Sequence, residues 1–132
     1  MTFKDHFSGH ADRYEAFRPT YPDDAVVHRL DTDILGPFWL PEVRLVEEGY
    51  RTMPFPFQEI GAPAFHLTQW WSLDRLMGCM ETWSASLCYR NQTGQNPIDP
   101  FREDLAAAWG DPDRQREIVW PLHMRVGRIS GR

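Results

Sequence analysis

Residues 66–94 read HLTQWWSLDRLMGCMETWSASLCYRNQTG, and this stretch places a strand pattern directly before a helix pattern. The aromatic-rich segment His66–Trp71 predicts a strand, and Ser72 is a favourable N-cap for the helix that follows. Gly94 predicts the end of that helix, because glycine is the preferred residue just after a helix C-terminus. The predicted buried face of the helix is formed by Leu73, Leu76, Met77, Met80, Trp83 and Leu87.

The sequence beyond this stretch predicts one more helix and one more strand. A helix that begins at Asp99–Pro100 should end at Gly110. Its predicted inward side chains are Phe101, Leu105, Ala108 and Trp109. Residues 117–127 carry apolar side chains at every second position, which is typical of a half-buried strand, and Pro121 places this strand at an edge or a bulge. The two predicted strands could pair antiparallel.

The N-terminal part predicts short helices joined by proline-containing segments. Residues 3–17 have apolar side chains on one face of a helix, and residues 24–30 predict a short second helix. Pro41 suits the first position of a two-turn helix that Gly49 would close. Residues 50–65 include three prolines, so we expect this segment to be extended and partly exposed to solvent.

Length and composition are those of one ordinary globular domain. The chain has 132 residues, of which 42% are hydrophobic and 25% are charged. Strands and helices do not alternate in the way that would build a parallel sheet from this chain. We therefore expect an α+β fold in a single domain, residues 1–132. In it, α-helices would pack on a small antiparallel β-sheet of two or more strands.

Charge and hydropathy exclude two classes of partner. The net charge of −5 argues against a nucleic-acid-binding module, which would normally carry a basic patch. No apolar run approaches the roughly 18 residues of a membrane helix, and the N-terminus lacks the apolar core of a signal peptide. We expect a cytoplasmic protein. Cys79 and Cys88 would face opposite sides of one helix, which excludes a disulfide between them and predicts two free thiols.

Two segments carry motifs that occur together in one enzyme family. The first, residues 7–22, reads FSGHADRYEAFRPTYP. The second begins with GPFWLPEVRLVEEGYRTMPFPF at Gly36, continues through ETWSA at 81–85 and AAWGDP at 107–112, and finishes with WPLHMRVGR at 120–128. These segments resemble class I S-adenosylmethionine-dependent methyltransferases. The likeness is to the bacterial small-molecule group related to trans-aconitate methyltransferase.

The resemblance implies that a central part of the family's fold is missing. Residues 1–30 resemble the helical segment that precedes the Rossmann core, and residues 36–132 resemble the C-terminal part that follows it. The family's D-x-G-x-G turn, which approaches the cofactor, has no counterpart, because no two of the nine glycines are separated by a single residue. This pattern predicts an internal deletion. We expect no cofactor on the chain alone, and S-adenosylmethionine only if a site is rebuilt.

The resemblance also implies candidate ligand-binding residues. In the family, the N-terminal helix and the lid close over the pocket for cofactor and acceptor, and the matching residues here are Tyr14, Arg18, Tyr21 and Trp39. An arginine beside aromatic rings can hold a carboxylate through a bidentate hydrogen bond. In the alternative interpretation, Arg18 pairs with a nearby acid and the aromatic side chains fill a core.

Histidines provide a second set of candidates. His66 and His123 lie on the two predicted strands, where they could face each other as an acid/base pair or as a metal site. A third ligand with convincing spacing is missing, and metal sites are usually tighter clusters. Neutral, hydrogen-bonded histidines are the alternative. No nucleophile motif accompanies them, so the sequence assigns no catalytic residue.

The aromatic content predicts an interaction surface. Six tryptophans, eight phenylalanines and four tyrosines are many for a chain of this length. Several would pack on the missing sheet in a full-length relative, and large exposed apolar patches mark interfaces. We therefore expect a homodimer, which could exchange elements between its subunits to complete the truncated fold. A pocket within that dimer could bind a small apolar or carboxylate ligand.

These observations lead to two main hypotheses about function. The first is a methyltransferase-related protein that does not transfer methyl groups by itself and serves as an oligomeric scaffold or a small-molecule binder. The second is an enzyme. It would either be a methyltransferase whose partner subunit supplies the cofactor half, or catalyse a different reaction in the old acceptor pocket with His66 or His123 as the base. A degenerate gene product is a third hypothesis, but the local sequence signals agree with one another, which argues against it.

Overall fold

The computed structural model describes residues 24–130, and its contacts divide the chain into two compact units. Within the described residues, the first unit comprises 41–67 and 120–130, and the second comprises 24–40 and 68–119. The helix expected over residues 3–17 lies outside the described residues. The expectation of a single domain stays a prediction.

The described chain contains short helices and strands in mixed order. In the N-terminal half these are α1 (Asp24–His28), a π-helical turn (Arg29–Ile34), a 3-10 turn (Gly36–Phe38), α2 (Val43–Glu47), β1 (Gln58–Ile60) and β2 (Phe65–Trp71). In the C-terminal half they are α3 (Leu73–Glu81), α4 (Ser84–Thr93), a 3-10 turn (Asp99–Phe101), α5 (Arg102–Trp109), β3 (Arg116–Leu122) and β4 (Val126–Arg128).

Four strands form two small sheets. β1 pairs antiparallel with β4, with Glu59 opposite Gly127, and β2 pairs with β3. The pairing of β2 with β3 confirms that the two strands predicted from the sequence meet. The segment predicted as one strand over 117–127 is divided, since β3 ends at Leu122 and β4 begins at Val126. The predicted α+β class, with small antiparallel sheets and packed helices, is confirmed.

The helix predicted from Ser72 to Gly94 is two helices in the structure. Its ends are as predicted, because the Ser72 hydroxyl accepts a hydrogen bond from Arg75 N and Gly94 has a φ of 72°. Between the helices, the Thr82 hydroxyl donates to the Cys79 carbonyl at 2.7 Å, and the Ser86 hydroxyl donates to the Met80 carbonyl at 2.7 Å. These side chains bind carbonyls that a continuing helix would have used, so α3 ends.

The break between α3 and α4 changes which side chains are buried. Leu73, Leu76 and Met80 of α3 are buried as predicted, whereas Leu87 of α4 is 47% exposed. The prediction for Leu87 assumed one continuous helix, and the break at Thr82 turns α4 away from that face. Ala85 and Ser86 are the buried side chains of α4 instead.

Buried apolar side chains are distributed unevenly between the two units. Within residues 24–130, every buried apolar side chain belongs to the second unit. They are Val27, Leu30, Leu35, Leu73, Leu76, Met80, Ala85, Ile98, Phe101, Leu105, Trp109 and Ile118. The described part of the first unit contains no fully buried side chain. Burial of apolar surface therefore stabilises the second unit far more than the first.

Ion pairs link the helices of the second unit at its surface. Arg102 Nε donates to Asp99 Oδ1 at 2.8 Å, and its Nη2 donates to Glu81 Oε1 at 2.5 Å. Asn96 Nδ2 donates to the same Glu81 oxygen at 3.1 Å. These contacts tie the start of α5 to the end of α3. Because all three charged groups are partly exposed, solvent screening keeps their contribution to stability modest.

The first unit is held by close packing around Gly127 in β4. A Cβ at this position would lie 2.5 Å from Phe57 Cβ and within 2.9 Å of two ring atoms of Phe55. The Phe55 and Phe57 rings meet edge to face, with centroids 5.5 Å apart. Only a residue without a side chain allows β4 to approach this aromatic pair so closely.

We expect Gly127→Ala to lower the free energy of unfolding by about 1–3 kcal/mol, because the added methyl group overpacks the contact with Phe55 and Phe57. Urea denaturation followed by circular dichroism measures this loss. Gly78→Ala is the matched control, since Gly78 lies in α3 with nothing within 4 Å of a built Cβ. The control should be neutral or more stable by up to about 1 kcal/mol. Equal effects of the two substitutions would contradict the packing argument.

Candidate functional site

A cavity of about 510 Å³ lies within the first unit. Its volume is in the range of small-molecule binding sites. Three segments form its walls: the turn after α2, the chain between β1 and β2, and the chain at the end of β3. The lining residues are Gly49, Arg51, Glu59, Ala62, Pro63, Ala64, Phe65, His66, Pro121, Leu122, His123, Met124 and Arg125.

The turn after α2 has an unusual backbone conformation. Gly49 has a φ of 63° and Tyr50 a φ of 61°, so two consecutive residues are in the left-handed region. Glycine adopts this conformation freely, whereas a tyrosine does so at a cost in free energy. The Tyr50 amide donates to the Leu45 carbonyl at 2.7 Å, which closes the end of the helix. The reversal points the Tyr50 carbonyl toward Arg125.

Arg125 connects the described segments of the first unit. Its Nε and Nη2 donate to the two carboxylate oxygens of Glu59, each at 2.8 Å. Its Nη1 donates to the Tyr50 carbonyl at 3.0 Å and to the Met53 carbonyl at 2.8 Å. The guanidinium carbon also lies 4.4 Å from the centroid of the Phe55 ring. A bidentate pair of this kind fixes both the distance and the relative orientation of the guanidinium and the carboxylate.

Charge pairing shifts the titration of both partners. The hydrogen bond from Arg125 lowers the pKa of Glu59, and the same bond raises the pKa of Arg125. The Arg125 side chain is 17% exposed and the Glu59 side chain is 50% exposed. Every nitrogen of the guanidinium already has an acceptor within the first unit. Arg125 therefore acts as a structural support of the cavity wall, and its charge is largely neutralised by Glu59.

The structure brings the two candidate histidines to the same cavity. His66 lies in β2 and His123 follows β3, and both line the cavity wall. Their assignment as ligand-binding residues stays a prediction. Among residues 24–130, no group of three His, Cys, Asp or Glu side chains is placed to hold a metal ion. As donors, the imidazole N–H groups can bind an acceptor oxygen of a ligand.

The other predicted site residues are placed differently. Trp39 lies in the second unit, where its Nε1 donates to the Asp31 carboxylate at 2.8 Å. The Trp39 ring packs against Trp83 with centroids 5.7 Å apart. Its N–H group and one ring face therefore have partners within this unit. Tyr14, Arg18 and Tyr21 lie outside the described residues, and their ligand-binding role stays a prediction.

The two cysteines are free thiols, as predicted. Burial raises the pKa of the Cys79 thiol, and the nearby charge of Arg75 offsets this effect only in part. A raised pKa lowers the fraction of thiolate at neutral pH, and the thiolate is the nucleophilic form. Cys79 is therefore unsuited to nucleophilic catalysis. Cys88 lies in α4, where its sulfur accepts a hydrogen bond from Gln92 Nε2 at 3.2 Å.

The turn from β2 to α3 is the place where a nucleotide-type cofactor would be expected to bind in this part of the chain. It is the one direct strand-to-helix turn within residues 24–130. Such turns bind cofactors through glycines, which let the backbone approach the ligand, and through free amides at the helix N-terminus. Here the turn reads Trp71-Ser72-Leu73, and the Ser72 hydroxyl already accepts from Arg75 N at 3.3 Å. The described turn therefore contains no glycine, and one amide of its helix N-terminus is already bound by a side chain.

Comparison with solved structures identifies a related fold. The chain is similar to a protein described as "a Putative Type II Methyltransferase from Anaeromyxobacter dehalogenans", with 42% sequence identity and a TM-score of 0.76. The match covers 84% of this chain and 47% of that protein, so the chain spans about half of its length. The chain therefore has a methyltransferase-like fold over most of its residues.

Other comparisons add no family assignment. No protein-family model matches the chain, and no curated protein matches its sequence. Within the described residues, no helix is long and apolar enough to cross a membrane.

Sequence reasoning missed the Arg125–Glu59 pair. The two residues are 66 positions apart, and neither belongs to a motif that requires the other. In the alternating pattern of residues 117–127, Arg125 is on the side opposite the apolar positions. Only the pairing of β1 with β4 shows which acid it meets.

We expect the Arg125–Glu59 pair to make stability depend on pH. The folded-state pKa of Glu59 is lowered, so its contribution is complete above the ordinary glutamate pKa of about 4.3 and is lost as pH falls through the lowered value. Thermal unfolding of the wild type should therefore show a steeper loss of stability below about pH 4.3 than Glu59→Gln shows.

The control for this measurement is Glu103→Gln, which removes an exposed acid of α5 in the second unit. It should keep the pH profile of the wild type. A Glu59→Gln profile parallel to that of the wild type throughout the acid range would contradict the assignment.

Proposed function

We propose that this chain is a methyltransferase-related binding protein that acts as a homodimer, holds a small carboxylate-bearing molecule in the cavity of the first unit, and does not transfer methyl groups by itself. The observation that carries the proposal is the turn from β2 to α3. It lacks glycine and is capped by Ser72, although the chain is similar over 84% of its length to a methyltransferase-like protein.

The charge of the cavity wall favours an anionic ligand. The lining contains two arginines, Arg51 and Arg125, against one carboxylate, Glu59, so its formal charge is positive. His66 adds an N–H group that can donate to a carboxylate oxygen, and His123 lines the same cavity. Phe65, with other apolar lining residues, offers surface for a carbon skeleton. This combination of few polar groups and apolar walls is typical of small-molecule sites.

The distribution of apolar side chains supports the homodimer. Most large apolar side chains that remain exposed belong to the first unit, which contains no buried side chain of its own among the described residues. They are Val46, Met53, Phe57, Ile60, Phe65, Leu67, Leu122, Met124 and Ile129. A surface of this kind gains stability when a second protein surface covers it.

Calorimetric titration with S-adenosylmethionine tests the loss of the cofactor site. We expect no heat of binding for the pure chain at millimolar cofactor, because the strand-to-helix turn within residues 24–130 contains no glycine to receive it. S-Adenosylhomocysteine is the second probe, since it lacks the methyl group and the sulfonium charge. Micromolar binding of either molecule would contradict the proposal and favour an enzyme with a rebuilt cofactor site.

Titration with succinate or citrate, followed by amide chemical shifts, tests the cavity. We expect saturable shifts at residues 62–66 and 121–125, and we expect His66→Ala and His123→Ala to weaken binding by about tenfold each, the loss of one hydrogen bond to a charged group. His28→Ala is the control, because His28 is an exposed residue of the second unit. Shifts that spread outside the cavity, or equal weakening by all three variants, would contradict the assignment.

A further inference from the structure

The strand β2 is exposed on both of its faces. Phe65 and Leu67 on one face are each 46% exposed, and Trp70 on the other face is 59% exposed. A strand at the surface of a globular protein usually buries one face, so that apolar and polar positions differ in exposure. β2 pairs with β3 along one edge, and along its other edge no strand pairs with it within residues 24–130.

The free edge of β2 lacks the features by which proteins protect edge strands. The segment FHLTQWW contains no Asp, Glu, Lys or Arg, no proline and no glycine. Such segments of high β-propensity and low charge pair readily with other strands. By contrast, β3 carries Arg116, Glu117 and Pro121, while β1 and β4 have three residues each. Among the described strands, β2 is therefore the one suited to accept a further strand.

We propose that β2 pairs antiparallel with β2 of a second copy of this chain, around a two-fold axis at Thr68. This proposal rests on the homodimer of the proposed function and specifies its interface. A partner strand of identical sequence needs no charge complementarity, and β2 has no charge to repel itself. Two-fold pairing makes the contact isologous and closed, which prevents growth into a fibre.

Centring the pairing on Thr68 gives a favourable register. Thr68 lies opposite the partner subunit's Thr68, and Leu67 lies opposite the partner subunit's Gln69. Phe65 lies opposite the partner subunit's Trp71, and aromatic pairs and Thr–Thr pairs are among the stabilising cross-strand combinations. The two sheets of β2 and β3 then join into one four-stranded sheet, which is large enough for independent stability.

The same register extends the cavity with a residue of the partner. His66 lines the cavity, and it lies opposite the partner subunit's Trp70. An indole ring at that position supplies an aromatic surface beside the imidazole. The binding site is therefore completed by the second subunit.

Substitution at the two-fold axis tests the interface. Thr68 is exposed, so Thr68→Lys introduces no clash within the subunit while it places two like charges directly opposite each other. Sedimentation equilibrium should show that this variant weakens the dimer by more than about tenfold. Gln115→Lys adds the same charge at an exposed position before β3, and it should leave the dimer unchanged.

Cross-linking tests the register independently of subunit stability. In a Cys79→Ala, Cys88→Ala background, Thr68→Cys should form an intersubunit disulfide rapidly, because directly opposite residues in antiparallel strands are within disulfide reach. Gln115→Cys should form one at least about tenfold more slowly, at the rate of random collision. Mass spectrometry of the oxidised peptide identifies residue 68 as the linked position.

Each other outcome overturns the proposal. A wild-type chain that is monomeric at all concentrations has no β2 interface, and a dimer that survives Thr68→Lys uses another surface. Association without limit would show open edge pairing in place of a closed two-fold. The cofactor and carboxylate titrations give separate readouts. A β2-paired dimer that binds S-adenosylmethionine would overturn the proposed function alone. A carboxylate-binding dimer that survives Thr68→Lys would overturn this interface alone.

Discussion

The hydrogen bonds of Arg125 hold together a unit that has no buried apolar side chain of its own among the described residues. One guanidinium joins the turn after α2, the strand β1 and the Phe55 ring to the segment that carries His123. Gly127, two residues further, lets β4 pack closely on the same aromatic pair. Interactions between partly exposed charges contribute modestly to stability in water. The first unit consequently depends on the hydrogen bonds of Arg125 and the close packing at Gly127, whereas most folds depend on a buried apolar core.

This dependence relates the fold to the proposed function. The second unit has a core built by α1, α3, α4, α5 and the start of β3. The first unit contains the cavity and most of the exposed apolar side chains. In a protein that is similar to about half of a methyltransferase-like relative, a second copy of the chain offers a way to cover this surface. We infer that the dimer interface includes residues of the unit that binds the ligand, because Phe65–Leu67 of β2 belong to the first unit.

Local sequence signals predicted helices and strands well, but they did not predict contacts between residues far apart in the chain. Ser72 and Gly94 marked helix ends because their capping chemistry acts within a few residues. The break at Thr82 was missed, since the apolar spacing of the segment is equally good for one helix, and hydroxyl groups decided the outcome. The α+β class and the meeting of the two predicted strands were recognised from periodicity. The predicted strands led to the expectation that His66 and His123 lie near each other, and both line one cavity. The Arg125–Glu59 pair depends on a register that no local pattern encodes.

The dependence of unfolding on protein concentration shows whether a second copy of the chain completes the fold. If the second copy completes the fold, dissociation and unfolding are coupled, and stability rises with concentration by mass action. Between two urea denaturation curves recorded at concentrations about 100-fold apart, the account predicts a rise of about 2.7 kcal/mol in the free energy of unfolding. Superimposable curves, with a single midpoint at both concentrations, would show that each chain folds without its partner and would contradict the account.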